Sequence, residues 1–422
     1  MSNARKLVAK ALQKTENGGY SNLVLKDDLK NSGLSSQDLK FASALFYGVL
    51  ERRITLDYII EKQSGRKIKD ISKEIINILR IGVYQLLFMN SVPDSAAINE
   101  SVKLVKNSRQ KYLSGFTNAV LRNCQRNKDN CLPKGDKIRD LSVLYSCPEW
   151  IINSLIRDYG IENAVEFLKD TVKPKDITLR VNTKKLNVDE FVNKLSELGF
   201  SAEKTEKENY LSVKDLGNIE ENPLYKSGCF HIQSLASAYS VECLAVKPND
   251  SVLDVCAAPG GKSFSIAEDM SDCGTVVSCD IHSHRVKLIK NGAERLNLKI
   301  IKAVKNDAAV FNENFGKFDK ILCDVPCSGL GVIGRKPDIK YKSEQNFETL
   351  SEIQLKILNT SAEYLKQSGR IVYSTCTLRK KENDDVVERF LSQNPDFRLK
   401  HKKTLFPHID GTDGFFVAVI ER

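Results

Sequence analysis

The 422-residue sequence predicts an α/β protein in which an all-α bundle and a small α/β module precede a doubly wound parallel sheet. Two patterns support this prediction. Residues 1–130 repeat apolar side chains at helical spacing and contain almost no alternating apolar segments. After Pro248, strand-like and helical segments alternate over the rest of the chain, which is typical of a parallel sheet covered by helices.

The first domain is expected to span residues 1–130. Its apolar residues recur at helical spacing, as at Ile71, Ile75 and Leu79, so each predicted helix has one face for a common core. Glycines and a proline separate the helical segments. The stretch 127–137 is typical of a linker and marks the end of this domain.

A second domain, residues 141–240, mixes helical and alternating patterns. Its helices are predicted at 148–159 and 188–198, and its strands at 177–181, 210–213 and 230–232. A third domain, residues 241–422, contains the regular alternation. Its strands are predicted at 251–255, 275–279, 300–304, 320–323, 370–373 and 415–419.

The composition is that of a folded protein, with 41% hydrophobic and 28% charged residues. No apolar run approaches the roughly 18–20 residues of a membrane span, and the start lacks a signal-peptide pattern, so we expect a cytoplasmic protein without membrane contact. The eleven cysteines form no CxxC pair and are expected to be reduced thiols. The five histidines lie away from any cysteine cluster, so no metal site is predicted.

The positive charge is concentrated in the first third of the chain. Residues 1–140 hold 25 Lys and Arg against 14 Asp and Glu, whereas the remainder holds 39 against 40. A net charge of +11 beside a neutral remainder indicates docking on a polyanion such as nucleic acid. A lysine-rich helical surface in contact only with solvent is the equally plain alternative.

A glycine turn follows the first strand of the third domain. The turn consists of Cys256, Ala257, Ala258, Pro259, Gly260, Gly261 and Lys262. Asp254 precedes it, Asp280 ends the second strand 26 residues later, and Asp307 follows the third strand. Acids at successive strand ends around a glycine turn predict a nucleoside pocket at the carboxyl edge of the sheet. Each acid alone could instead cap the helix after its strand.

Two cysteines follow the next two strands, as Asp324-Val-Pro-Cys327 and as Ser-Thr-Cys376. Since ligands bind at the ends of parallel strands, both thiols are expected to open into the same crevice. A nucleophilic thiol needs a cationic or hydrogen-bonding environment. The cations nearby in sequence are Arg335, Lys336, Lys340 and Arg379.

These motifs, CAAPGGK, DVPCSG and STC in this order, resemble the cytosine-5 RNA methyltransferases that use S-adenosylmethionine. Further segments resemble one branch, the Sun/Fmu-type 16S ribosomal RNA methyltransferase B. They are SAAINESVKL and GFTNAVLR of a NusB-like domain, LRVNT of the middle RNA-binding segment, and GRKPDIK and DGFFVAVIER of the catalytic domain. The sequence departs from that family at Ser234, where Asp is usual, and in TLRKKEN after Cys376, where proline is common.

The resemblance implies a Rossmann-like methyltransferase sheet behind a NusB-like bundle and a small RNA-binding module. It implies that Cys376 attacks C6 of a cytosine, that Asp324 binds the base at N3, and that Cys327 assists removal of the C5 proton. S-adenosylmethionine would be bound by residues 256–262 with Asp280, Asp307 and Asp324. The implied partner is 16S rRNA or a small-subunit assembly intermediate, not DNA, and the protein is expected to be a monomer.

Three alternatives stay open at this stage. In DNA cytosine-5 methyltransferases the nucleophile is the cysteine of the Pro-Cys motif, which is Cys327 here, although the Thr-Cys376 motif argues against that assignment. The chain could also be an RNA-binding, antitermination-like factor with an inactive sheet. A third alternative keeps the chemistry and changes the substrate to another RNA, such as tRNA.

Overall fold

The computed structural model describes residues 2–16, 21–30 and 32–422. The chain forms two compact units. The first contains residues 1–172 together with the segment 333–342, and the second contains residues 173–332 and 343–422.

Helices make up most of the first unit. They are α1 (Ser2–Glu16), α2 (Ser21–Lys30), α3 (Ser36–Glu51), α4 (Arg53–Ser64), α5 (Lys73–Phe88), α6 (Asp94–Lys106), α7 (Ser114–Arg126), α8 (Ile138–Leu144) and α9 (Glu149–Thr171). Helices α1 to α7 pack around one apolar core. Gly160, at φ 81°, breaks α9 into two helical segments. In the part of the chain that the structure describes, no helix combines the length and apolarity needed to cross a membrane.

Helix α5 lies at the centre of the bundle, and its buried residues extend around most of its surface. Arg80 on this helix is 5% exposed. Its guanidinium donates to both carboxylate oxygens of Asp57, at 2.6 and 2.8 Å, and is paired with Glu16 as well. Two carboxylates therefore compensate the one cation that this helix buries.

The segment 333–342, which follows the DVPCSG motif in sequence, packs with the first unit. Its short 3₁₀ helix places the fully buried Lys340 so that Nζ donates to the carbonyl of Glu51 at 3.0 Å. The hydroxyl of Tyr341 donates to the carbonyl of Leu50 at 2.7 Å, and its ring lies 3.6 Å from the guanidinium of Arg53. These contacts, absent from the sequence expectations, attach the segment to the end of α3 and the start of α4.

The second unit begins with a small antiparallel sheet. Its elements are β1 (Ile177–Val181), α10 (Val188–Glu197), β2 (Ala202–Lys204), β3 (Tyr210–Val213), α11 (Pro223–Lys226) and β4 (Phe230–Ile232). The strand order is β2-β3-β1-β4, and all neighbours are antiparallel. Helix α10 begins with a capping box between Asn187 and Glu190, and it buries Phe191 and Leu195.

A seven-stranded sheet forms the rest of this unit. Its elements are α12 (Leu235–Leu244), β5 (Ser251–Asp254), α13 (Gly261–Asp269), β6 (Thr275–Asp280), α14 (Ser283–Leu296), β7 (Ile301–Lys305), β8 (Phe318–Asp324), α15 (Leu350–Glu363), β9 (Leu365–Thr375), α16 (Asp384–Gln393), β10 (Arg398–Leu405), α17 (Pro407–Asp410) and β11 (Phe415–Glu421). The order is β10-β11-β9-β8-β5-β6-β7. Apolar clusters fill both faces of the sheet.

The strands β9, β8, β5, β6 and β7 are parallel, as predicted. Strand β11, which was predicted as part of the parallel sheet, pairs antiparallel with β9, and β10 pairs antiparallel with β11. The sequence analysis did not predict β2 or β10. Strand β10 reads RLKHKKTL and is exposed over most of its length, so it lacks the apolar pattern of a strand. Its backbone groups pair with those of the buried β11. This pairing, and not its side-chain pattern, makes the segment a strand.

We predict that Lys340 makes the stability of the first unit depend on pH. Burial lowers the pKa of this lysine to about 8. Between pH 8 and its ordinary value the unfolded chain binds the proton and the folded chain does not, so stability rises with pH by up to about 1.4 kcal/mol per pH unit. Below pH 8 the cost of the buried charge is present in full.

The measurement is denaturant unfolding of wild type and Lys340→Met from pH 7.5 to 9.5. The single tryptophan, Trp150 in α9, reports on the first unit through its fluorescence. The stability of the variant relative to wild type should fall as the pH rises. A difference that does not change with pH would contradict the prediction.

Candidate functional site

A cavity of about 200 Å³ opens at the carboxyl edge of the larger sheet. Its walls come from the ends of β5 and β8, the turn after β5, and the segment that joins β4 to α12. The lining residues are Ile232, Gln233, Ser234, Ser237, Asp254, Cys256, Ala257, Ala258, Pro259, Gly261, Lys262 and Asp324. The predicted glycine turn therefore does line a cavity, together with Asp254 and Asp324.

The turn after β5 is fixed by close packing. Gly260 has φ 115°, and a Cβ atom there would lie 2.3 Å from the ring of Phe264, so a larger residue does not fit. The N–H of Ala257 donates to the carbonyl of Cys279 on the neighbouring strand at 2.7 Å. Helix α13 begins at Gly261, and the N–H groups of its first turn have no acceptor within the helix. This end of the turn favours an anionic or strongly polar ligand group.

Asp254 is fully buried beneath the turn. Its Oδ2 accepts a hydrogen bond from Ser263 at 2.7 Å, while Oδ1 has no partner among the described residues. Burial raises the pKa of Asp254 to about 7. A buried carboxylate oxygen without a partner beside a cavity fits the amino group of a ligand, because an ammonium would satisfy both its charge and its lone pairs.

Asp280 ends β6 and Asp307 lies two residues beyond β7, and neither lines the cavity. Asp280 caps the start of α14 by accepting from the N–H of His282 at 3.0 Å. Arg285 lies 3.2 Å from its carboxylate and also donates to the carbonyl of Ala258 at 2.8 Å, which ties Asp280 to the turn. Asp307 is exposed and accepts from the N–H of Ala309.

Lys262 and Asp324 form an ion pair across the cavity wall, with 2.7 Å between Nζ and Oδ2. The other carboxylate oxygen accepts from the hydroxyl of Ser374 at 2.8 Å. Burial lowers the pKa of Lys262, but the charge and hydrogen bond of Asp324 outweigh burial, and the net shift is upward. Asp254 and Cys376 also raise the pKa of Lys262, which favours the lysine as a cation near both groups.

The structure brings the two cysteines together, as the sequence predicted. The sulfur atoms of Cys327 and Cys376 are 3.3 Å apart, and both side chains are partly buried. The hydrogen bond to Cys376 raises the pKa of the Cys327 thiol well above its ordinary value, and burial and the charges of Glu382 and Asp324 raise it further. The surroundings of Cys327 therefore disfavour ionisation of its thiol.

Two of the four cations named from the sequence have partners away from the thiols. Lys340 donates to the carbonyl of Glu51 in the first unit, and Arg379 lies within 3.6 Å of Glu382 and Glu344. Lys262, assigned to the cofactor from the sequence, is the cation that interacts with Cys376.

Sequence reasoning missed the wall formed by Gln233. This residue is 4% exposed, and its Oε1 accepts from the hydroxyls of Tyr210 at 2.6 Å and Ser265 at 2.5 Å. Arg180 in turn donates to the Tyr210 oxygen at 3.1 Å and pairs with Glu268 at 2.6 Å. The sequence feature that could have revealed this wall is the segment HIQS, residues 231–234. Only its Ser234 was noted, as a departure from a family pattern.

Comparison with known proteins gives three family matches along the chain. The model described as "16S rRNA methyltransferase RsmB/F" matches residues 241–421, the NusB family matches residues 2–126, and the ferredoxin-like domain of RsmF/B-like methyltransferases matches residues 147–210.

Individual relatives agree with these matches. The chain is 38% identical to a probable ribosomal RNA small subunit methyltransferase B of Bacillus subtilis, over 100% of this chain and 99% of the relative. A protein described in the same way from Synechocystis is 30% identical over 96% and 95% of the two chains. The solved structure of a methyltransferase homologue from Pyrococcus horikoshii superposes with a TM-score of 0.60 at 25% identity, over 68% of this chain and 99% of its own.

We predict that the buried ion pair between Arg180 and Glu268 is essential to the cavity wall formed by Gln233. Arg180→Met leaves the carboxylate of Glu268, which is 8% exposed, without its cation. Breaking a buried pair in this way costs about 3–5 kcal/mol. Lys204→Met is the control, because Lys204 and Asp189 form an exposed pair and its loss should cost less than about 1 kcal/mol.

Urea unfolding followed by circular dichroism measures both variants. Similar losses of unfolding free energy in Arg180→Met and Lys204→Met would show that the wall formed by Gln233 does not depend on the Arg180–Glu268 pair.

Proposed function

Because the chain belongs to the 16S rRNA methyltransferase RsmB/F family, we propose that it methylates C5 of a cytosine in 16S ribosomal RNA, with S-adenosylmethionine as the methyl donor and a covalent Cys–C6 intermediate. One observation carries the chemical part of this proposal: the thiols of Cys327 and Cys376 lie 3.3 Å apart at the sheet edge that also holds the Lys262–Asp324 pair.

The residues of the cavity fit the proposed methyl donor. The unpartnered oxygen of Asp254 suits the amino group of S-adenosylmethionine, and the start of α13 suits its carboxylate. Asp280, held against the turn by Arg285, is the proposed partner of the ribose hydroxyls. Asp307 follows the next strand and is proposed to lie beside the adenine. When bound, S-adenosylmethionine would supply an electrophilic methyl group on its sulfonium sulfur.

Cytosine C5 is a poor nucleophile, so the protein must first load electron density onto it. We assign this step to Cys376, whose thiolate adds to C6. Two neighbours favour that thiolate: the sulfur of Cys327 lies 3.3 Å away, where its S–H can donate to Cys376, and Lys262 is a cation whose pKa Cys376 helps to raise. Because the surroundings of Cys327 disfavour its thiolate, the attack is assigned to Cys376.

Asp324 and Lys262 are proposed to hold the base. A carboxylate paired with a lysine accepts hydrogen bonds and does not donate them, so Asp324 suits the amino group of cytosine. The proton donor at N3 is then the ammonium of Lys262, which would neutralise the charge that develops there when C6 is attacked. The ion pair thus divides between two side chains a role that the sequence analysis gave to Asp324 alone.

Cys327 is assigned to the end of the reaction. After the methyl group has reached C5, the C5 proton must leave and the bond between C6 and Cys376 must break. Cys327 lies against the sulfur of Cys376 and is proposed to pass its proton to that sulfur as the bond to C6 breaks, so that the Cys327 thiolate formed in this way takes up the C5 proton. The target base must leave any stack to reach this edge, which favours a loop or a flexible RNA segment.

The first unit is proposed to supply affinity for RNA. The +11 net charge of residues 1–140 suits contacts with phosphates, which carry most non-specific affinity for nucleic acid. A 16S rRNA or small-subunit assembly intermediate is the proposed partner, and a cytoplasmic location follows from that substrate.

We predict that the two cysteines have opposite kinetic signatures. Cys376→Ala removes the attacking thiolate and should give neither covalent adduct nor methylated RNA. Cys327→Ala should still attack and transfer the methyl group, but it should resolve slowly and accumulate a covalent protein–RNA complex. Denaturing gels of each variant with 16S rRNA and labelled S-adenosylmethionine, before and after RNase, show the complex.

The reverse pattern, with adduct in Cys376→Ala and none in Cys327→Ala, would assign the nucleophile to Cys327. Full activity in both variants would exclude covalent catalysis by these thiols. Wild-type activity on tRNA equal to that on 16S rRNA would contradict the assignment of 16S rRNA as the substrate.

We predict that Asp280 binds the cofactor and not RNA. Asp280→Ala should weaken S-adenosylmethionine binding by about 1.5–3 kcal/mol, the scale of a hydrogen bond to a charged acceptor, and leave RNA affinity nearly unchanged. Asp319→Ala is the control, since that carboxylate lies near the other end of β8 and pairs with Lys366. Calorimetry with the cofactor and filter binding with RNA measure the two affinities. Equal losses of both affinities in Asp280→Ala would contradict the assignment.

A further inference from the structure

A buried carboxylate clamps the turn that carries Cys327. Glu382 belongs to the short 3₁₀ helix Lys380–Glu382 and is fully buried. Its Oε2 accepts the backbone N–H of Ser328 at 2.8 Å. The same oxygen accepts from Nε2 of Gln354 at 3.1 Å, and Gln354 also donates to the carbonyl of Pro326 at 2.9 Å. The backbone groups on both sides of Cys327 are therefore held by one carboxylate and one amide.

The turn that carries Cys376 is held by neighbouring contacts. The hydroxyls of Ser328 and Thr377 lie 2.7 Å apart and connect the two turns directly. Asn383, the residue after Glu382, donates to the carbonyl of Thr377 at 3.0 Å and accepts from the hydroxyl of Thr375 at 2.6 Å. Residues 382 and 383 thus determine the position of both turns, and with it the separation of the two sulfur atoms.

The charge of Glu382 acts on the Cys327 thiol. Arg379 compensates it only in part, because its guanidinium lies 3.5 Å away and is shared with Glu344 at 3.6 Å. A buried negative charge near a thiol disfavours its ionisation. For Cys327 this charge adds to the hydrogen bond with Cys376 and to burial, all of which raise the pKa of the thiol.

We propose that Glu382 is a positioning residue, which fixes the Cys327 turn against the Cys376 turn and sets a buried negative charge beside the Cys327 turn, so that the two thiols have different roles. This inference rests on the proposed function, because the distinction matters only where one thiol attacks and the other assists. It assigns a part in the reaction to a side chain that contacts neither base nor cofactor.

The test compares Glu382→Gln with Glu344→Gln. Glutamine at position 382 keeps the size of the side chain and an oxygen that can accept from the N–H of Ser328, but it removes the charge. Glu344 pairs with the same arginine and is 49% exposed, so Glu344→Gln is the matched control. The probe is iodoacetamide at fixed pH, with the alkylation rate of each cysteine followed by mass spectrometry of its own peptide.

In Glu382→Gln the rate at Cys327 should rise by about fivefold or more, because the nearby charge is gone, while the rate at Cys376 changes by less than twofold. Glu344→Gln should match wild type at both cysteines. Glu382→Ala also removes the clamp, and its covalent complex with RNA should persist longer than that of wild type.

A purely structural role would lower stability and raise both alkylation rates together, which would overturn the proposal. Unchanged rates in Glu382→Gln would overturn it as well. The alkylation assay needs no turnover, so its outcome is independent of the methylation test with Cys376→Ala. Failure of the proposed function would appear as unimpaired methylation in Cys376→Ala, whatever the alkylation rates.

Discussion

Parallel hydrogen bonding of β5 with β6 on one side and β8 on the other is the constraint on which the candidate site depends. In this register Asp254 lies opposite Ser278 and Leu322, so the three strands end at one edge of the sheet. A slip of one residue would turn Asp254 toward the other face and away from Ser263. The cavity and the ion pair therefore depend on the sheet register, whereas the separation of the two sulfur atoms depends in addition on the contacts of Glu382 and Asn383.

Acidic side chains with specific partners fix the geometry of this edge of the sheet. Three carboxylates there are each held by a specific partner: Asp254 by Ser263, Asp324 by Lys262, and Glu382 by the N–H of Ser328. A buried charge that loses its partner costs several kcal/mol, so few alternative arrangements of these side chains are compatible with the folded state. The same cost explains why the sulfur atoms can be held at a fixed separation on two turns that lie on different strands.

The sequence predicted the elements that have a local residue pattern and missed those whose formation depends on partners far away in the chain. The apolar run of β8 and the glycine turn after β5 were assigned to the correct places. Strand β10 was missed because its polar side chains carry no strand pattern. Gln233 and Glu382 were missed because their hydrogen-bond partners lie 23 to 54 residues away in the chain. No local pattern reports such pairings.

The LRVNT segment illustrates how a motif can serve the site without contacting its ligand. Resemblance assigned it to RNA binding, yet Arg180 is paired with Glu268 on α13, and Asn182 donates to the carbonyls of Gly228 and Leu296. Both side chains are buried, so they join the small sheet to the helices of the larger one. Strand β4 and the Gln233 segment that follows it are thereby held against the start of α13. If the small module contacts RNA, other residues of its surface must do so, while the motif itself keeps one wall of the cavity in place.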